Sequence, residues 1–170
     1  MEIEFVAILD KLEESALTSG NPDSFCNDVV VALKPVIDLE TVILFIQIDN
    51  ETLESMARTG PEHGNLIGNK YLKFFRKSPM ADAYRLGKPQ AWGNAKKMLQ
   101  EYPDLILWPR ILHGVFAIPL LRDKKSYAGC VYVSRDGFSE EFGQSILELL
   151  QKTSELIYQV YLRQLEQPSH

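Results

Sequence analysis

Cysteine is scarce in this chain. Two residues, Cys26 and Cys130, stand far apart, each inside an apolar segment. Small secreted folds are stapled by several disulfides, whereas isolated thiols in apolar surroundings read as buried and free, which fits a reducing cytosol. Histidine is nearly as rare. His63, His113 and His170 have no spacing that lets two of them share an ion, such as four residues apart on a helix, so no metal is expected. Long apolar runs are missing: Val42 to Ile46 is typical of the longest, against the roughly 20 residues of a membrane helix. An excess of basic residues is missing too. Eighteen Lys and Arg face 23 Asp and Glu, a net charge of -5, and a nucleic-acid surface needs clustered cations. Neither a nucleic acid nor a membrane is expected as a partner. The N-terminus carries Glu2 and Glu4 where a signal peptide carries Lys or Arg, which points to a cytoplasmic location.

The usual signatures of catalysis are also absent. No Ser lies in a Gly-x-Ser-x-Gly elbow, and no Cys has a His beside it. Gly60, Gly64 and Gly68 punctuate one loop, but no Lys-Ser or Lys-Thr follows to cradle a phosphate. The acid pairs Glu13-Glu14 and Glu140-Glu141 read as solvated helix faces. The expectation is a domain without catalytic turnover.

What is present is a well-punctuated pattern of helices and strands. With 170 residues, 45% of them hydrophobic, the chain can build one domain with a proper core. Phe5, Ile8, Leu9, Leu12 and Ala16 recur at helical spacing over residues 2–18, and Ser19 to Pro22 stops that helix. A second helix covers residues 23–33, with Phe25, Cys26, Val29 and Leu33 on its buried side. Strands follow over 41–48 and 52–59, joined by a turn at Asp49, Asn50 and Glu51. Residues 68–77 read as a loop with one helical turn. Ser78 and Pro79 open a helix that ends at Gly87, because Ser caps and Pro fits the first helical position. A short strand at 90–92 and a short helix at 94–101 come next, and Pro103 and Pro109 then break regularity. A hairpin pairs 114–121 with 127–134 across a polar loop, Arg122 to Ser126. The last helix starts at Ser139 and runs to about Leu165.

This order resembles the GAF domain family over about residues 20–165. Four pieces carry the likeness. Ser78-Pro-Met-Ala-Asp-Ala-Tyr-Arg-Leu-Gly87 with Lys88-Pro89 is similar to the family's segment before its third strand. Gly114-Val-Phe-Ala-Ile-Pro-Leu120 is similar to its strand ending in Pro-Leu. Gly129-Cys-Val-Tyr-Val-Ser134 and then Phe138-Ser-Glu-Glu141 are similar to its last strand and closing helix. The resemblance implies an α+β, PAS-like arrangement in three layers: a central antiparallel sheet of five to six strands, terminal helices on one face, and an irregular ligand-pocket segment on the other. It implies one domain over 1–170, with an N-terminal helix at 1–19, a core at 20–150 and a signalling or dimerisation extension at 151–170. Cyclic-nucleotide-binding members carry an Asn-Lys pair and an acidic pair where this chain has Ser134, Arg135, Phe142 and Gly143, so that ligand is not expected. Bilin-attaching members need a cysteine in the middle segment, and residues 60–113 contain none. Members that reduce free methionine sulfoxide need several cysteines converging on the pocket, whereas Cys26 falls on a helix expected on the far sheet face.

The aromatics Tyr71, Phe74, Phe75, Tyr84, Trp92, Tyr102 and Trp108 gather in or beside the irregular segment. They either line a ligand or fill the space over the sheet themselves. Alternation places Phe45 and Gln47 on one face of the first strand. In the last strand the polar set Cys130, Tyr132 and Ser134 is assigned to the pocket, and the small aliphatic set Gly129, Val131 and Val133 to the terminal helices. The candidate pocket is therefore Phe45, Gln47, Tyr71, Trp92, Trp108, His113, Phe116 and Tyr132, with His113 either a strand-end residue or a donor to an anionic ligand. The function implied is a sensory or regulatory domain that binds an unidentified small molecule, feeding an output domain if the chain is part of a longer protein. The alternatives are a structural dimerisation module with a self-filled pocket and, from another class, a small redox enzyme. A homodimer through the terminal helices is expected, with Phe5, Leu9, Leu12, Leu156, Val160 and Tyr161 at the interface. The ground is that the last helix is apolar nearly all round beyond Leu156.

Overall fold

The computed structural model describes residues 2–61, 67, 69–105 and 113–166. In chain order the elements are α1 (Ile3–Thr18), α2 (Pro22–Leu33), β1 (Leu39–Gln47), β2 (Thr52–Thr59), β3 (Tyr71–Lys73), α3 (Pro79–Leu86), β4 (Gln90–Trp92), α4 (Ala95–Glu101), β5 (Gly114–Arg122), β6 (Lys125–Ser134) and α5 (Glu140–Glu166). The strands form one antiparallel sheet in the order β3-β2-β1-β6-β5-β4. Helices α1, α2 and α5 cover one side, and α3, α4 and irregular chain cover the other. The expected α+β three-layer class is the one observed.

Local chemistry sets the element ends. Asn21 accepts from the backbone N–H groups of Asp23 and Ser24, Ser78 from Ala81, and Asn94 from Lys97. Each such cap is worth about 1 kcal/mol. Gly87 closes α3 in the left-handed region at φ 66°, its N–H bonding to the carbonyls of Ala83 and Tyr84. Two expectations are corrected here. Residues 71–73 form an edge strand on β2 rather than a helical turn, because Leu72 is needed in the core while its neighbours face out. The hairpin loop shrinks to Asp123 and Lys124, both at positive φ (52° and 66°), since Arg122 and Lys125 still pair in the ladder.

Register decides which residues share a face. Val42 stands opposite Tyr132 and Leu44 opposite Cys130, while Ile43 meets Val131 and Phe45 meets Gly129. Directly opposite residues point the same way. Cys130 and Tyr132 therefore lie with Val42 and Leu44 under the terminal helices, and Val131 lies with Phe45 on the irregular side. This reverses the expected assignment of the last strand. Tyr132 is fully buried among the helices, and its hydroxyl reaches Ser154 Oγ at 2.7 Å and the Leu150 carbonyl at 3.3 Å. Phe116 shares that side, stacked on Phe138 with ring centres 4.4 Å apart. Neither residue lines the irregular side. The aliphatic face does meet a helix, but the helix is α3: a Cβ on Gly129 would lie 2.5 Å from Met80 Cε.

The expected dimer surface is used inside one chain. Phe5, Leu9, Leu12 and Val160 are all buried where α1 packs along α5. The Arg163 guanidinium at the end of α5 donates to the Ala16 and Ser19 carbonyls and ties the end of α1 to it. The second apolar side of α5 thus finds its cover in α1. Leu156 and Tyr161 stay half-buried, and Leu162 and Leu165 are exposed.

Candidate functional site

The irregular side of the sheet is an apolar floor with a roof of short elements. Ile43 and Phe45 of β1, Val115 and Ala117 of β5, and Val131 and Val133 of β6 make the floor. Trp92 of the edge strand β4 stands opposite Val115 on the same face, and Met80 and Tyr84 from α3, Met98 from α4, and Tyr102 make the roof. Trp92 meets Tyr102 edge-on at 5.8 Å. Both are almost wholly buried, so the described side chains fill much of the space over the floor. Grooves formed by described residues lie on other parts of the surface; one of about 500 Å³ runs between α1 and α2.

Three polar links fix the roof at its rim. The Tyr84 hydroxyl donates to Gln47 Oε1 at 2.6 Å, and Gln47 Nε2 donates to the Asp49 carbonyl at 2.9 Å. The Tyr102 hydroxyl donates to Asp82 Oδ2 at 2.8 Å. Arg85 holds the other carboxylate oxygen of Asp82 and also donates to the Phe74 carbonyl. Burial is the first cause of the raised Tyr102 phenol pKa, and the Asp82 bond and charge add to it. Burial likewise raises Tyr84. Both phenols therefore stay protonated donors through neutral pH.

The structure brings together only part of the predicted pocket. Phe45 of β1 and Trp92 of the edge strand β4 lie on the same side of the sheet, in one apolar cluster, and Gln47 sits at the rim with Tyr84. Tyr71 is on the outer edge strand, 48% exposed, and does not join them. His113 is buried at the start of β5, where Nδ1 meets the Ser134 carbonyl at 3.0 Å and lies 3.5 Å from Glu40. Arg135 approaches the same Glu40 and also Asp38, so His113 belongs to a strand-end network. Trp108, His63 and His170 lie outside the described residues. Met80, Met98 and the Asp82–Arg85–Tyr102 chain were missed by sequence reasoning. The signal available was α3 itself, whose first turn carries Asp82 and whose last turn carries Arg85. Among the described residues no group of three metal-binding side chains converges, and no helix is long and apolar enough to cross a membrane.

No protein-family model and no curated protein matches the sequence. Solved structures do match the architecture. The GAF domain of a phosphoenolpyruvate-protein phosphotransferase (ptsP) from Coxiella burnetii superposes with a TM-score of 0.64 at 18% identity, covering 96% of each chain. The A. aeolicus nlh2 GAF domain in an inactive state gives 0.64 at 12% identity, over 97% of this chain and 98% of that one. The fold is that of a GAF domain. Enzymes share it. A free methionine-R-sulfoxide reductase from Neisseria meningitidis, solved with its substrate, gives a TM-score of 0.66 at 13% identity over 95% of this chain and 90% of that one. A type II enzyme of the same name from Thermoplasma acidophilum matches as well. The expectation of a domain without turnover is therefore corrected: a GAF fold of this kind does not exclude catalysis. In this GAF fold both cysteines lie on the terminal-helix side, buried and free. Burial pushes the Cys130 thiol up to about 12 and Cys26 well up too.

Proposed function

We propose that the chain acts as a regulatory GAF domain that binds a small molecule without a covalent bond, between the sheet floor, Trp92 included, and the Met80–Met98–Tyr102 roof. What carries the reading is the composition of that space: an apolar floor with a few positioned polar groups, Gln47, Tyr84 and the Tyr102–Asp82 pair, at its rim. Small-molecule sites have this make-up. Methionine suits a roof that must repack, since its unbranched chain adapts to irregular space. The ligand class is a compact, largely apolar molecule with one or two hydrogen-bonding groups. Its entry displaces the roof, and α3 passes the displacement to the sheet. The signal then leaves through α1 and α5, where pairing between copies would use Leu156 and Tyr161 with the exposed Leu162 and Leu165.

The second reading, a module whose space is filled for good by its own side chains, rests on the near-complete burial of Trp92 and Tyr102. A thermal-shift screen against a broad metabolite panel separates the two. Binding at a hundredfold excess over Kd adds about 2.7 kcal/mol, or roughly 5–10 °C at this size. A hit that Gln47→Ala and Trp92→Ala both weaken supports the sensor. A panel without a hit supports the filled module.

A further inference from the structure

The cations of this acidic chain are gathered. Residues 70–100 hold eight Lys and Arg and a single acid, Asp82, although the net charge is -5. Four of them gather at β3: Lys70 just before it, Lys73 on it, and Arg76 and Lys77 in the turn that follows. Leu72 anchors that strand in the core. The turn closes with the Arg76 N–H on the Lys73 carbonyl at 3.1 Å and presents Phe75 to solvent, 81% exposed. Tyr71, on the same edge, is also exposed. The neighbouring acids are Asp49 and Glu51 on the β1–β2 turn and Glu54 opposite Tyr71. Lys73 is engaged by the Thr52 hydroxyl at 2.7 Å. Among the described residues no ion pair reaches Lys70, Arg76 or Lys77.

We propose that this turn docks the chain on the surface of an anionic phospholipid bilayer, with Phe75 entering the interface and Lys70, Arg76 and Lys77 meeting lipid phosphates. The inference is independent of the proposed ligand site. Three features favour a bilayer. An exposed phenylalanine on a turn is a projection, not a groove, so it suits a broad soft surface rather than a peptide. Aromatic rings beside Lys and Arg are the residues that settle at the boundary between headgroups and acyl chains. Stacking on nucleic-acid bases needs open ring faces, and Tyr71 already carries the Lys70 ammonium 5.5 Å from its centroid. No helix among the described residues is long and apolar enough to cross a bilayer. The net charge of the chain hid this patch, because the acids lie mainly elsewhere.

Co-sedimentation with vesicles tests the proposal. The wild-type chain is mixed with phosphatidylcholine vesicles containing about 30% phosphatidylserine, and with phosphatidylcholine alone, in about 0.1 M salt, where screening is moderate. Binding is expected to the anionic vesicles only. Each cation at an anionic surface is worth about fivefold, so the triple change Lys70→Gln, Arg76→Gln and Lys77→Gln lowers partitioning roughly a hundredfold. Phe75→Ala lowers it about tenfold. All four side chains are exposed, so the variants keep the wild-type circular dichroism spectrum and Tm. Equal binding to both vesicle types, no binding to either, or a triple variant that sediments like wild type overturns the proposal. Tight binding to a single-stranded oligonucleotide that the triple change removes, without vesicle binding, assigns the turn to nucleic acid and overturns it too.

Discussion

The two sides of the sheet are cores of different construction. On the helix side, α2 lies across β1 and β2, the 27-residue α5 lies across β5 and its neighbours, and α1 packs on both helices. Tyr132, a large polar side chain buried there, uses its hydroxyl on Ser154 and Leu150 of α5. On the irregular side the cover comes from α3 and α4, of eight and seven residues, and from single side chains such as Tyr102. Helices that short draw little stability from their own backbone, and their closure depends on packing. The proposed binding site asks the irregular side to open and leaves the helix side closed. Residues one place apart in β6, Val131 and Tyr132, serve different sides.

The largest test of this difference is a pair of truncations. Phe116→Ala on the helix side is expected to cost about 3–5 kcal/mol in urea unfolding, since the long helices cannot collapse into the space. Trp92→Ala is expected to cost less, about 3 kcal/mol, because the short elements packed on it can settle. Equal losses would erase the distinction. Gly114→Ala probes the helix side by overpacking. The new Cβ would stand 2.3 Å from the Phe138 ring and 2.7 Å from Ser134 Oγ, so a loss of about 1–3 kcal/mol is expected. A wild-type Tm in that variant would show that Phe138 yields easily.

The pH dependence sharpens the comparison. Cys130 has its ordinary value of 9.0 raised to about 12 by burial. Its thiol stays protonated in the fold while the unfolded chain releases the proton, so the native state binds more protons above about pH 9. Stability from this group is complete below pH 9 and is lost as pH rises toward 12, by about 1.4 kcal/mol per unit at most. Cys26 and Tyr132 are raised as well and act in the same direction. Urea titrations at pH 8 and 10 are expected to show the decline, and Cys130→Ala should flatten it. An unchanged midpoint would mean that these groups meet water in the fold. The smallest effect belongs to the roof. Tyr102→Phe removes the bond to Asp82 and should cost about 1 kcal/mol, with Asp82 still held by Arg85.

Much of the fold was legible in the sequence because its punctuation is local. Ser78-Pro79, Gly87 and the caps Asn21 and Asn94 act within a turn of where they stand, and helical spacing placed Phe5 to Ala16 correctly. The face of β6 was not legible. Alternation sorts residues within one strand, but only the pairing of Leu44 with Cys130 says which set faces the helices. Polarity misled there, since the Tyr132 hydroxyl found its partner in Ser154, which no local rule connects to it. The candidate site was half legible for the same reason. Phe45, Gln47 and Trp92 followed from alternation and from irregular backbone, whereas the Asp82–Tyr102 bond joins residues 20 apart across the roof. Of the residues expected at a dimer interface, Phe5, Leu9, Leu12 and Val160 are covered within the chain, because α1 packs along α5.

Native-state hydrogen exchange tests the central claim, that one side of the sheet opens locally and the other does not, most directly. Amides of α4, such as Met98 and Tyr102 bonded to Asn94 and Met98, are compared with those of α5 between Ile146 and Val160 under low denaturant. The account predicts that the α4 amides exchange through small openings with little denaturant dependence, while the α5 amides exchange only through global unfolding with the full dependence. Equal protection and equal denaturant dependence in α4 and α5 would contradict it.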